Sequence, residues 1–212
     1  MRVTKANNKA IQYACKYFHY ARSVPTVQWA YNVYNDNNEW CGVILYGGGA
    51  NNNLPKNFNL NAGEVLELER VALNGKQEQT SKAVAMTLKQ LHKDNPLVQI
   101  VVSYSDHRQK HIGTIYQATN WIYLGISKTN DTQYFYNGKW THERTINGKS
   151  NRDELKAKLP KRENSNKFKY IFVFDKKLRK QYLKLALPYP KDADLTECEM
   201  QVEKKQLSKG EQ

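Results

Sequence analysis

Asp106 and Tyr116 could share a proton-transfer task. Asp106 closes the apolar run LVQIVVSYSD, and Tyr116 follows ten residues later in HIGTIYQATN. A carboxylate at the C-terminal edge of a central strand usually faces a cleft. There it can take a proton from an amine, orient that amine, or ligate a metal. A phenol beside a bound cofactor can donate a proton to a leaving group, or bind a metal as phenolate. The plainer readings are an N-cap for Asp106 and a packed helix residue for Tyr116. His19 and Tyr20, beside Arg22, close the first helical pattern. With Asp106 and Tyr116 they form an oxygen and nitrogen donor set suited to a metal. They also read as an ordinary helix end, where an imidazolium suits the dipole.

A second pattern points to an anion. The strand EVLELERVAL feeds NGKQEQTSK and then AVAMTLKQLHK, residues 64–93. A polar turn at a helix N-terminus offers free N–H groups and the positive end of the helix dipole. Lys76, Thr80, Ser81 and Lys82 line that turn, and Arg70, Val71 and Ala72 lead into it. Arg70 could hold a pyrophosphate or carboxylate bidentately. Alternation puts Glu67 and Glu69 on one face, to touch a substrate amine or to form a cross-strand salt bridge.

These residues need a frame. Helical spacing over 6–20 is followed by alternating strands at 27–34 and 39–47, joined through Asp36-Asn37-Asn38. GGGANNNLPKNFNL (47–60) reads as an irregular wide connection. The strand 63–73 loses strict alternation after Leu68, which predicts a bulge. Thr80 or Ser81 is expected to cap a helix over 82–93 whose apolar stripe is Val84, Ala85, Leu88 and Leu91. Residues 97–104 are nearly continuously apolar, as in a doubly covered central strand. A helix near 113–120, a strand at 121–127, and a hairpin at 132–146 turning on Asn137-Gly138 follow. A polar helix (150–159), the loop KRENSNK, a strand (168–174) and a basic amphipathic helix (175–187) come next. The polar tail from Pro188 has too little apolar content to order itself.

The net charge is +13, and residues 149–184 alone carry 13 Lys or Arg against 4 Asp or Glu. Such a concentration favours a nucleic-acid backbone as partner. Arg108, Lys110, His111, Lys161, Arg162, Lys167 and Lys169 are the expected DNA contacts. The 14 Tyr, with Phe135, Trp140 and Phe168 near the basic run, add stacking faces. Trp121, Trp140 and Tyr46 are the candidates to hold an unpaired base. Three Cys without CxxC spacing argue against a disulfide or zinc framework and fit a reducing cytosol. With no secretory signal and no apolar run near 18 residues, the expected location is the cytoplasm.

The order of elements is similar to the GNAT acyltransferase superfamily, IYQATNWIYLG (115–125) resembling its late Tyr-x-x-x-Gly-Phe element. Asn120 and Trp121 stand where Gly and Phe are usual, and NGKQEQTSK replaces the usual glycine-rich cofactor loop. A closer resemblance, over residues 5–182, is to the Mom-type adenine modification proteins of bacteriophages. It is carried by YFHYARSVP (17–25), ILYGGGANNNL (44–54), ELERVAL (67–73), VVSYSDHRQKHIGTIYQATNWIYLG (101–125) and LPKR with KFKYIF (159–172). The resemblance implies an α/β (α+β) fold with a mainly antiparallel sheet flanked by helices, and acetyl-CoA as donor. It further implies an Fe(II) ion, held here by His19, Tyr20, Asp106 and Tyr116. The implied activity is conversion of adenine N6 in double-stranded phage DNA to a methylcarbamoyl-type derivative, protecting that DNA from restriction. The readings kept beside it are a GNAT N-acetyltransferase acting on a protein or small amine, and a non-catalytic DNA-binding protein. The expected organisation is a catalytic domain at 1–148, a basic extension at 149–187 and a charged tail at 188–212.

Overall fold

The computed structural model describes residues 1–106, 111–127, 132–163 and 166–191. The chain divides into two units. The larger comprises Met1–Ser105, Gly113–Gly125 and Lys169–Pro190; the smaller comprises Asp106–Ile112, Ile126–Phe168 and Lys191 onward.

A seven-stranded sheet forms the larger unit. Its strands are β1 (Arg2–Lys5), β2 (Trp29–Tyr34), β3 (Trp40–Gly47), β4 (Val65–Leu73), β5 (Ile100–Asp106), β6 (Ile122–Ser127) and β10 (Lys167–Val173), ordered β1-β2-β3-β4-β5-β10-β6. β1 to β4 pair antiparallel, and β4 pairs parallel with β5. Alternation on β3 serves two faces. Val43 and Leu45 pack with Ala72 against Ile11, Ala14 and Cys15 of helix α1 (Asn8–Phe18). Tyr46 turns to helix α2 (Thr80–Asp94), where its hydroxyl meets Thr87 Oγ1 at 2.7 Å. Helices therefore cover both faces, as expected of a half-apolar, half-amphipathic pattern.

The third group of buried side chains sits under the 47–60 connection. Leu54 and Phe58 pack with Val65, Ile100, Val102, Ile122, Ile171 and Val173. Helix α6 (Lys176–Leu183), capped by Asp175 through its bond from the Leu178 N–H, adds Leu178 and Tyr182. The connection is not wholly irregular: Pro55–Phe58 is a 3-10 turn that brings Phe58 inward.

Other expectations shift for local reasons. β1 is too short to announce itself in the sequence. α1 stops at Phe18, with His19 extended as its C-cap. α2 begins at Thr80 with Gln79 as an N-cap that makes no side-chain bond, so neither Thr80 nor Ser81 caps it. Its buried stripe is Ala83, Val84, Thr87, Leu88 and Leu91, while Ala85 is exposed. Leu97 lies in a turn and is 73% exposed, so β5 starts three residues late. The bulge in β4 is present: Leu45 faces Arg70 and Tyr46 faces Leu68, leaving Glu69 as the extra residue.

The smaller unit contains β7 (Thr132–Tyr136), β8 (Lys139–His142) and β9 (Lys161–Glu163) in the order β8-β7-β9, with helices α4 (Glu143–Asn147) and α5 (Arg152–Lys158). Asn137 and Gly138 both take positive φ, as the two-residue hairpin requires. β9 occupies the start of the stretch read as a loop, because Gln133 and Tyr134 offer it a partner. The expected appendage at 149–187 is divided. Its strand β10 lies inside the large sheet between β5 and β6, and α6 belongs with it. The tail's first residues are also held, since Tyr189 Oη donates to the Trp121 carbonyl at 2.6 Å. No helix among the described residues is long and apolar enough to cross a membrane.

Candidate functional site

The sheet parts at its centre. β4 and β5 pair through Val65↔Ile100, Leu66↔Val101 and Glu67↔Val102, and no further. Both strands continue, β4 to Leu73 and β5 to Asp106. From Leu68 onward β4 is paired with β3 on one side only, so backbone groups of Leu68 to Leu73 face the opening.

Side chains meet at the first step beyond the last pair. Ser103 Oγ lies 3.3 Å from the Leu68 carbonyl and donates to Tyr116 Oη at 2.8 Å. A serine has one proton to give. Given to Tyr116, it leaves the phenol's own proton directed at something other than Ser103. Tyr116 stands on helix α3 (Thr114–Gln117), whose N-cap is Gly113, and packs against Trp121 and Tyr170 with ring centroids 5.0 and 5.1 Å away. Burial pushes the Tyr116 phenol up to about 12; the Ser103 bond opposes this, and the nearby Tyr20 and Glu67 add to it. The hydroxyl therefore keeps its proton at neutral pH.

Two carboxylates flank the opening. The Gly49 N–H donates to Glu69 Oε1 at 3.1 Å. A Cβ on Gly49, whose φ is +77°, would lie 2.6 Å from Glu67 Oε2. The glycine run at 47–49 thus lets backbone approach where a side chain could not. Glu67 also raises Tyr104, whose phenol burial pushes up to about 12.

The turn before α2 suits an anion. Gly75 takes φ +86° with open space where a Cβ would be. The Lys76 N–H donates to Asn74 Oδ1 at 3.0 Å, and Gln77 Nε2 to Thr80 Oγ1 at 2.9 Å. No side chain caps the helix. The N–H groups of the first turn at Thr80, Ser81 and Lys82 therefore have no side-chain acceptor, and Lys76 and Lys82 are exposed beside them. Gln77 Oε1 and Arg70 Nε are buried without a hydrogen-bond partner. Arg70 gives its Nη1 proton to the Glu69 carbonyl at 2.6 Å. Val71 and Ala72 pair with Ile44 and Val43. These residues fit a pyrophosphate-bearing thioester lying along the free side of β4.

The metal set fares differently. His19 and Tyr20 stack at 4.4 Å, and His19 Nδ1 accepts the Ala21 N–H at 3.1 Å. Among the described residues no three His, Cys, Asp or Glu side chains form a metal-holding group. Fe(II) therefore rests on the resemblance alone. Asp106, half-buried, is the last residue of β5, and by alternation it shares the face of Tyr104, not that of Ser103.

Of the expected DNA contacts, Arg108 and Lys110, with neighbouring His107, lie outside the described residues. His111 is exposed and its N–H donates to the Asp106 carbonyl at 3.4 Å. Lys161 is exposed on β9, and Arg162 beside it stacks over Trp140. Lys167 is half-buried at the start of β10. Lys169 lies 4.8 Å over the Phe58 ring, and burial lowers its pKa. Of the three aromatics offered for base stacking, Tyr46 (0% exposed) and Trp121 (1%) are closed off; Trp140 is 37% exposed. Ser103 was not singled out by sequence, although a serine within a buried apolar run needs a partner and so is a signal.

Two of the raised phenols, Tyr104 and Tyr116, give a pH prediction. Unfolded tyrosines ionise near 10. Tyr104 and Tyr116 bind their protons more tightly when folded, so their contribution is complete below pH about 10 and lost as pH rises through about 12. Alkaline titration followed by phenolate absorbance should show late-ionising tyrosines whose ionisation coincides with unfolding. Ionisation of every tyrosine near pH 10 in the folded protein would contradict this.

The sheet of this α/β protein opens beside a proton-bearing phenol, with an uncapped helix N-terminus after the free strand. This chain belongs to the Mom protein family, which matches residues 1–191. It is 29% identical over 163 residues to the methylcarbamoylase mom of Escherichia phage Mu, covering 71% of this chain and 67% of that protein. Among solved structures, it is similar to the ribosomal-protein-S5-alanine acetyltransferase of Vibrio fischeri, with 10% identity and a TM-score of 0.47 over 82% of this chain and 93% of that one. It is also similar to a Bacillus subtilis acetyltransferase in complex with CoA, with 10% identity and a TM-score of 0.44 over 82% and 99%.

Proposed function

We propose that this chain transfers the acyl group of an acyl-CoA to adenine N6 in DNA with release of the CoA thiol, a modification that shields phage DNA from restriction in the host cytoplasm; a methylcarbamoyl-type product takes one further nitrogen, from an ammonia or amine donor. The observation that carries the reading is the Tyr116 hydroxyl, protonated and bonded to Ser103, where β4 and β5 part. Bound acetyl-CoA would supply a thioester carbonyl open to attack by an amine. Tyr116 Oη delivers a proton to the departing sulfur. Glu67 accepts or orients the protons of the attacking amine from the strand that faces it. The N–H groups of Thr80, Ser81 and Lys82, with Lys76, hold the pyrophosphate, and Arg70 to Ala72 present backbone to the arm between. Adenine N6 is reachable only once the base leaves its stack or opens its pairing edge. The basic content of residues 149–184 supports a DNA backbone as partner.

Nucleoside mass spectrometry on plasmid DNA from cells expressing the chain tests this. A heavier adenine nucleoside that appears only with the chain is the expected result. Unmodified DNA alongside a mass gain on a protein or small amine would replace the reading with the alternative acyltransferase.

A further inference from the structure

The smaller unit has an open sheet face that the catalytic reading leaves unused. Register puts Phe135 opposite Trp140 and Gln133 opposite both His142 and Arg162. Alternation then places these five on one face of the β8-β7-β9 sheet, while Tyr134, 6% exposed, turns to the other. The first face is open: Phe135 is 41% and Trp140 37% exposed. Their rings meet edge to face at 5.4 Å. The Arg162 guanidinium lies 4.2 Å over the Trp140 ring, and its Nε donates to Gln133 Oε1 at 2.9 Å.

Charge narrows the occupant. Glu143 is paired with Lys156 at 2.6 Å and Glu154 with Lys158 at 2.7 Å. Among the described residues Lys139, Lys149 and Lys161 make no ion pair, and Lys149 stands over the Tyr136 ring instead. Flat rings and a stacked guanidinium within a cationic rim match a base paired with its phosphate, not an apolar protein surface. In a duplex the base faces are already stacked on one another, so only an unpaired strand can offer one.

We propose that Phe135, Trp140 and Arg162 form a platform for an unpaired nucleic-acid strand, the bases stacking on the rings and a phosphate meeting the guanidinium. Resting on the DNA-modifying reading, it assigns the smaller unit to the unpaired nucleotides left where a base is taken out of the duplex.

Fluorescence anisotropy with a labelled oligo-dT and a duplex of equal length, without any acyl donor, tests it. The native chain should hold the single strand more tightly. Phe135→Ala with Trp140→Ala should weaken single-strand binding about tenfold or more and change duplex binding less than twofold. Arg162→Lys, which keeps the charge and loses the plane, should weaken the single strand while leaving the salt dependence unchanged. Should the alanine pair lose its circular dichroism spectrum, Phe135→Leu with Trp140→Leu keeps apolar bulk without the rings and serves the same comparison. An oligo-U arm separates DNA from RNA: tighter binding of either over duplex supports the platform. Equal losses on both strands and duplex, or none on the single strand, overturn it. Because no donor is present, DNA that proves unmodified in cells leaves this result standing on its own.

Discussion

Tyr116→Phe should abolish the modified nucleoside while leaving the fold and DNA retention in place. The substitution removes one oxygen from a residue that is 8% exposed, and the packing against Trp121 and Tyr170 needs only the ring. What disappears is the proton at the opening and the acceptor for Ser103. Loss of a positioned general acid costs roughly 10²–10⁴ in rate. Ser103 keeps an acceptor in the Leu68 carbonyl, so the cost to stability stays near 1 kcal/mol. Nucleoside mass spectrometry and retention on immobilised DNA read the two properties separately. Undiminished modification by the phenylalanine variant would remove Tyr116 from the chemistry.

Gly113→Ala should be the most disruptive of the small substitutions near the site. Gly113 takes φ +79°, and an added Cβ would lie 2.5 Å from the Tyr170 ring. The left-handed backbone costs a non-glycine residue about 1–2 kcal/mol. Displacing a packed ring adds about 1–3 kcal/mol. At roughly 2–4 °C per kcal/mol for a chain of this size, the melting temperature should fall by about 4–20 °C. The displaced ring also presses on Tyr116, so modification should drop further than the unfolded fraction explains. A melting temperature within a degree of the native value would show that Tyr170 yields freely.

The elements with strong local signals were legible. Helical spacing gave α1 and α2, and Asn137-Gly138 placed the hairpin. The failed alternation after Leu68 became the Glu69 bulge. β1 and β9, four and three residues long, exist only because β2 and β7 present unpaired edges. No local rule could have found them. The same holds for the start of α2, where Gln79 took the cap position from Thr80 and Ser81.

Sequence by itself determined which groups were available: a phenol after a central strand, carboxylates before a polar turn, and cations gathered late in the chain. Those are chemical identities, fixed residue by residue. Tertiary structure decided which of them meet. β4 and β5 stop pairing after three residues, and at that opening Ser103, 13 residues earlier in the chain, meets Tyr116. Burial then kept the phenol's proton, closed Tyr46 and Trp121 to a ligand, and left Trp140 open. Such outcomes depend on what solvent is excluded from a side chain, and solvent exclusion is a property of the packed whole.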